Sequence, residues 1–244
     1  MSAPAARVVL VTGSSSGIGA AVARRFAADG ATVVVNSSSS VDAGTALAAE
    51  LPGAFYVRAD IADESEVGAL IGEVEQRCGR LDVLVNNAGT TVRIDHADLD
   101  AVTGEVWRRI LGVNVVGTWN VVRAAVPLMR QGGGGCIINV TSLAGVRPTG
   151  SSIPYAVSKA GLNHMTLLLA NVLGPEIRVN AVAPGLIDTP WTADWQEVRG
   201  FVEAMAPLRR SGVPDDVAGV CLSLAAAEYM TGEVVVVDGG LQLR

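Results

Sequence analysis

Short runs of aliphatic and β-branched residues alternate along the chain with longer segments whose apolar positions recur every three to four residues. Residues 7–12 (RVVLVT) and 32–36 (TVVVN) read as two strands, followed by 54–60 (AFYVRAD), 81–89 (LDVLVNNAG, ending in a turn), 135–142 (GCIINVTS), 176–185 (EIRVNAVAPG) and 233–240 (EVVVVDGG). Between them lie helical segments. Residues 17–30 place Ile18, Val22 and Phe26 on one face, a helix follows the second strand, and others cover EVGALIGEVEQRC, about 105 to 130, and 153–174. The strands are continuous apolar runs, as expected where both faces of a sheet are covered. Strand and helix in alternation predict an α/β fold: a Rossmann-type, doubly wound parallel sheet of about seven strands with helices on both faces. No linker or repeat divides residues 1–244, which read as one domain. The long irregular stretch 186–213 holds Trp191 and Trp195 and reads as a substrate loop or lid, because structureless loops of that length are usually functional.

Composition narrows the partners. Half the residues are hydrophobic and only 17% charged, which asks for a deep core or subunit contacts. A net charge of −6 with no basic cluster argues against nucleic acid and anionic membrane. Cys78, Cys136 and Cys221 are odd in number and show no C-x-x-C spacing, so they read as reduced thiols in a reducing, cytoplasmic compartment. The N-terminus lacks the charged and apolar regions of a signal peptide, and no apolar run approaches the roughly 20 residues that span a bilayer. No cluster has metal-ligand spacing, so no metal is expected, and His96 and His164 read as structural.

Two features carry chemistry. TGSSSGIG (12–19) follows the first strand and opens the first helix, where glycines permit a tight turn and helix-start amides can hold a pyrophosphate. Its spacing is G-x-x-x-G-x-G rather than the commoner G-x-G-x-x-G. The second feature is Lys159, the single lysine beside 17 arginines, four residues after Tyr155. On a helix the two share a face. A nearby ammonium favours the phenolate, and lowering a tyrosine from about 10 to neutrality requires about 4 kcal/mol, part of which Lys159 can supply. Ammonium is a compact head with rotatable donors, whereas guanidinium is a wide planar fork. Position 159 therefore reads as one where a cation alone does not suffice.

T-G-x-x-x-G-I-G, NNAG (86–89), a serine 13 residues before Y-x-x-x-K, RVNAVAPG and VVVVDGG occur in an order that resembles the classical short-chain dehydrogenase/reductases, over residues 7 to 240. The motif set and length are similar to 3-oxoacyl-carrier-protein reductases. The resemblance implies an NAD(P)(H)-dependent oxidoreductase interconverting a carbonyl and a secondary alcohol. In it Tyr155 is the general acid or base, Ser142 binds the substrate oxygen, and Lys159 holds the nicotinamide ribose and depresses the phenol. Asn114 holds a relay water. It further assigns the nucleotide to Gly13, Ser15, Ser16, Gly17, Ile18, Gly19, Ser37, Ser38, Asp60, Ile61, Asn87, Ala88, Gly89, Pro184, Gly185, Ile187 and Thr189, with Tyr155 and Lys159. It also implies a homotetramer, with helix 153–174 offering a second apolar face.

The end of the second strand, Asn36 to Ser38, has no carboxylate to bind a ribose 2′-hydroxyl and no basic residue to bind a 2′-phosphate. Hydroxyls of Ser16, Ser37 and Ser38 favour NADP(H), with NAD(H) left open. Candidate substrate walls are Leu143, Ala144, Arg147, Thr149, Trp191 and Trp195. The substrate is a small carbonyl or alcohol whose identity the residues leave open. A catalytically retired, cofactor-binding or regulatory protein is the alternative.

Overall fold

A computed structural model describes residues 6–244. The first five residues, on which the reading of a leaderless start partly falls, lie outside the described residues. Seven parallel strands form one sheet in the order β3-β2-β1-β4-β5-β6-β7. They are β1 (Val8–Val11), β2 (Thr32–Ser37), β3 (Phe55–Arg58), β4 (Val83–Asn86), β5 (Gly135–Val140), β6 (Ile177–Pro184) and β7 (Val234–Val237). The order reverses between β1 and β4, and the crevice at the carboxyl ends of those strands is where open α/β sheets bind ligands.

The continuous apolar strands are explained by two cores, one on each face. Val8 and Leu10 of β1 pack with α3 (Glu64–Cys78), α5 (Thr118–Gln131) and α6 (Ile153–Leu173). Val9 and Val11 face the opposite way, toward α1 (Gly17–Ala28), α2 (Val41–Glu50) and α8 (Pro214–Ala226). Successive side chains of a strand alternate between faces, so a strand covered on both sides must be apolar at every position. Each fully buried valine or leucine adds about 1.5–3 kcal/mol of burial.

Helix starts follow local chemistry. Asp63 caps α3, its carboxylate accepting from the amides of Ser65 at 2.8 Å and Glu66 at 3.0 Å. Ser152 caps α6 by accepting from the Tyr155 amide at 3.4 Å, with Pro154 in the first turn. That cap fixes Tyr155 in the opening turn of α6 and Lys159 one turn on.

Two expectations need correction. The stretch 186–213 is not structureless: a 3₁₀ turn at Pro190–Thr192 and α7 (Gln196–Met205) occupy it. It is closed at its base by a bridge between Ile187 and Gly212, and by Asp188, which accepts from Arg199 and Ser211. The helix from 105 to 130 is interrupted: α4 (Gly104–Leu111) passes into a π-helical segment, Gly112–Gly117, before α5. Within the 28 residues Gly104–Gln131, an 18-residue window has a mean hydropathy of 1.2, the length and composition of a membrane span that buried core helices also show. Here its apolar side, including Val121, Ala125 and Met129, belongs to the core against β4 and α3.

Candidate active site

The turn after β1 is stapled to its neighbours by side chains. Asn36, at the end of β2, is buried; it accepts from the Gly13 amide at 3.3 Å and donates to the carbonyls of Val57 and Ala59, both at 3.1 Å. Asn87 donates to the carbonyls of Thr12 at 3.0 Å and Gly13 at 2.9 Å, and Thr12 Oγ1 accepts from the amides of Asn87 and Ala88. A Cβ on Gly13 would sit 2.7 Å from Ala88 Cα, and one on Gly19 would sit 2.5 Å from Asn87 Nδ2. These two glycines are therefore demanded by the close approach of the NNAG loop. Gly17 has φ +54, the left-handed region that favours glycine. Ser16 caps the start of α1 with no side-chain cap bond and is exposed, leaving its hydroxyl beside the helix-start amides.

Across the crevice, β5 and α6 bring Ser142, Tyr155 and Lys159 together. Ser142 Oγ accepts from the Ala144 amide at 3.1 Å. Lys159 is buried, its Nζ 5.7 Å from the Tyr155 ring centre and donating to the Val140 carbonyl at 2.9 Å. Among the described residues that is its one hydrogen bond, so two of three ammonium donors remain for a ligand. A Cβ on Gly89 would come within 3.6 Å of Nζ and 3.3 Å of Asn114 Oδ1, so glycine there keeps space beside the ammonium open.

Burial pushes the Lys159 ammonium down to about 8. Burial also pushes the Tyr155 phenol up, with a hydrogen bond from Ser142 pulling it back part way. Desolvation of the phenolate outweighs the Ser142 hydrogen bond, so the net shift is upward.

Asn114 sits in the π segment, fully buried. Its Oδ1 accepts from the Thr90 amide at 2.7 Å, and its Nδ2 donates to the Thr90 carbonyl at 3.0 Å and to Ser158 Oγ at 2.9 Å. Its side chain ties the NNAG loop to α6. The π bulge that turns it inward is a geometry with no sequence signature, though such bulges often occur at functional sites.

One cavity of about 650 Å³ unites these elements. Of the residues singled out in the sequence, Gly13, Ser15, Ser16, Gly17, Ile18, Ser37, Ser38, Asp60, Ile61, Asn87, Ala88, Gly89, Ser142, Tyr155, Lys159, Pro184, Gly185, Ile187 and Thr189 line it. Gly19 and Asn114 stand behind the wall. Ser37 Oγ is already paired with the Tyr56 hydroxyl at 2.9 Å, so Ser38 is the freer of the two. Leu143, Ala144, Thr149, Trp191 and Trp195 form the substrate end with Phe201. Arg147 does not: it turns outward and donates to the Gln242 carbonyl at 2.9 Å. Thr12, Asn36, Thr90 and Ser158 were given no site role from the sequence because they act through hydrogen bonds between loops; Asn36 and Thr90 also line the cavity, whereas Thr12 and Ser158 do not. Neither histidine lines it, and among the described residues no group of three or more His, Cys, Asp or Glu could hold a metal.

The site fits a nicotinamide nucleotide. An open glycine cradle with an uncapped helix start lies at one end, and a buried ammonium with free donors lies at the other, within a volume typical of ligand sites.

Comparison with known proteins agrees with this geometry. Residues 13–242 match the family described as Enoyl-(Acyl carrier protein) reductase. The chain is 56% identical over 244 residues to a Streptomyces violaceoruber protein named as candidate ketoacyl reductase 2 of the granaticin polyketide synthase, covering 99% of this chain and 98% of that one. It is 42% identical to the 3-oxoacyl-[acyl-carrier-protein] reductase FabG of Thermotoga maritima, covering 96% and 97%. A gluconate 5-dehydrogenase from Burkholderia cenocepacia, solved with NADP and tartrate, superposes with a TM-score of 0.89 at 31% identity, covering 98% and 96%. A short-chain type dehydrogenase/reductase from Mycobacterium ulcerans superposes with a TM-score of 0.92 at 35% identity, covering 98% and 90%.

Proposed function

The chain belongs to the classical short-chain dehydrogenase/reductase family, and on that premise we propose that it reduces the ketone of a 3-oxoacyl-type or related substrate with NADPH. It is an oxidoreductase acting between CH–OH and C=O. The observation that carries the assignment of roles is the placement of Ser142, Tyr155 and Lys159 around one end of the cavity.

A bound nicotinamide nucleotide supplies the hydride for reduction. Tyr155 gives its phenolic proton to the substrate oxygen as that oxygen becomes an alkoxide, and Ser142 donates a hydrogen bond to the same oxygen. Proton transfer by a positioned group is worth about 10²–10⁴ in rate. Tyr155 is protonated at neutral pH as any phenol with a value of about 10 is, and burial raises it further, so it can start as proton donor. Lys159 holds the ribose hydroxyls with its two free donors and offsets the phenolate left after transfer. Asn114 is a positioning residue that ties Thr90 to Ser158 of α6. Gly13, Ser15, Gly17, Ile18 and Gly19 shape the pyrophosphate cradle, Asp60 and Ile61 border the adenine, and Asn87, Ala88 and Gly89 border the ribose and nicotinamide. Pro184, Gly185, Ile187 and Thr189 border the carboxamide.

NADP(H) is favoured because no carboxylate follows β2, while Ser16 and Ser38 offer hydroxyls to a 2′-phosphate. Residues 1–244 act as one cytoplasmic nucleotide-binding domain, with 186–213 as its substrate lid. Exposed Val157, Leu168 and Val172 on the outer side of α6 support a homotetramer; light scattering at micromolar concentration checks it, and a monomer refutes it.

Fluorescence titration with NADPH and NADH, then a carbonyl panel that includes a 3-oxoacyl thioester, tests the whole reading. Binding without turnover of any carbonyl, unaltered by Tyr155→Phe, would instead indicate a retired enzyme. Ser38→Asp is expected to weaken NADPH at least about tenfold relative to NADH, by placing a carboxylate against the phosphate.

A further inference from the structure

The chain is poor in aromatic residues, with four tryptophans, three tyrosines and three phenylalanines. Four of these, Tyr155, Trp191, Trp195 and Phe201, line the cavity of about 650 Å³. The last three all come from the lid, and none belongs to either hydrophobic core. Trp191 is 46% exposed and Phe201 57%, so neither is retained for burial in the fold. The Trp191 ring stands edge-to-face against Tyr155, with ring centres 6.5 Å apart and planes at 70°. Trp195 is held from outside by Arg93, whose guanidinium lies 5.9 Å from the ring centre and 3.7 Å from Glu197. Any carbonyl that reaches the Tyr155 hydroxyl therefore lies beside an aromatic ring already fixed in place.

We propose that this aromatic wall selects a planar, ring-bearing ketone, one conjugated with or fused to an aromatic ring, over a flexible acyl chain. The proposal rests on the carbonyl-reductase reading above and adds the substrate class. A flat π-system can lie offset or edge-on against Trp191 and Trp195 at the centre-to-centre spacings of 4.5–7 Å that aromatic pairs favour, beyond what its apolar area alone supplies. A saturated chain of equal area gains only the area. Two such contacts correspond to a preference of about tenfold or more.

Calorimetry on the full chain saturated with NADPH, which leaves an alcohol probe with no oxidant, tests this without turnover. The probes are 2-naphthol and decahydro-2-naphthol, which share a carbon skeleton and differ in aromaticity. The expected result is 2-naphthol bound about tenfold tighter, with that preference erased in Trp191→Leu/Trp195→Leu while the variant still melts cooperatively with the wild type. Equal affinity for the two probes, or a preference that survives in the double variant, overturns the proposal. Turnover of 2-tetralone by the wild type and Tyr155→Phe is scored in parallel. Ring-selective binding with no turnover of any carbonyl leaves the wall standing and removes the reductase reading. Turnover of carbonyls without ring preference does the reverse.

Discussion

The floor of the cavity and its lid are built by opposite rules. On the floor, Lys159 and Asn114 are buried, Tyr155 is partly so, and the loops around them are tied by side chains such as Thr12, Asn36, Asn87 and Ser158. On the lid, Trp191 and Phe201 stand exposed, and the segment hangs from a few bonds around Asp188, Arg199 and Ser211. The floor fixes donors and charges to within the tolerance that proton transfer requires. The lid presents apolar surface whose shape can vary without disturbing that geometry. On the proposed roles, chemistry belongs to the sheet ends and substrate choice to 186–213.

The sharpest break of this contrast is at Tyr155. Tyr155→Phe removes the donor and should lower kcat about 10²–10⁴-fold on every carbonyl substrate, with NADPH affinity by fluorescence unchanged within about threefold. Lys159→Arg comes next. The fork keeps the charge but cannot turn its donors as the ammonium does, so kcat should fall about 10²-fold; turnover within about threefold of the wild type contradicts the head-group argument.

On the lid side the effects are smaller and of another kind. Asp188→Ala releases Arg199 and Ser211 at the hinge of the segment. It should raise KM several-fold while leaving kcat nearly unchanged, as expected where ground-state and transition-state binding are lost together. Equal loss in kcat would mean the lid shapes the floor.

Titration separates the regions further. Lys159 is charged below about 8, so the rate should decline as pH rises through about 8, giving an alkaline limb in kcat/KM. Stability moves the other way. A folded-state value below the ordinary 10.5 means that the folded chain binds fewer protons than the unfolded chain between those limits. The residue therefore costs stability below about 8, and the cost fades as pH climbs to 10.5. At neutral pH the cost is about 3 kcal/mol. Lys159→Met should accordingly melt a few degrees above the wild type at pH 7, with the gap closing by pH 10.5, in a thermal scan.

The two regions also differed in how far they could be read from residue order. Floor positions sit in regular elements whose spacing is fixed: four residues on α6 put Tyr155 and Lys159 on one face, and apolar β-runs ending at Asn86 and Val140 put their loops at one sheet edge. What stayed hidden there depends on three-dimensional crowding. The π bulge at Asn114 has no residue pattern of its own and lies against α6, and the rise of the Tyr155 phenol follows from burial that local sequence does not report. The lid was legible only as a long segment with two tryptophans. Its helix α7 lacks a side-chain cap, although Val198, Phe201, Val202 and Met205 recur at helical spacing and were a signal available, and Arg147 turned to the C-terminal tail. Helix α8, also unread, starts from Pro214 with Asp215 and Asp216 in its first turn, a signal that was available.

The division of labour between floor and lid is tested most directly by the ratio of kcat/KM for 2-tetralone to that for a linear 3-oxoacyl thioester. It should be measured in the wild type, Ser142→Ala and Trp191→Leu. Ser142→Ala should lower both values by a common factor, leaving the ratio unchanged. Trp191→Leu should shift the ratio about threefold or more toward the linear substrate. A ratio that moves with Ser142→Ala, or one that Trp191→Leu leaves unmoved, contradicts the account.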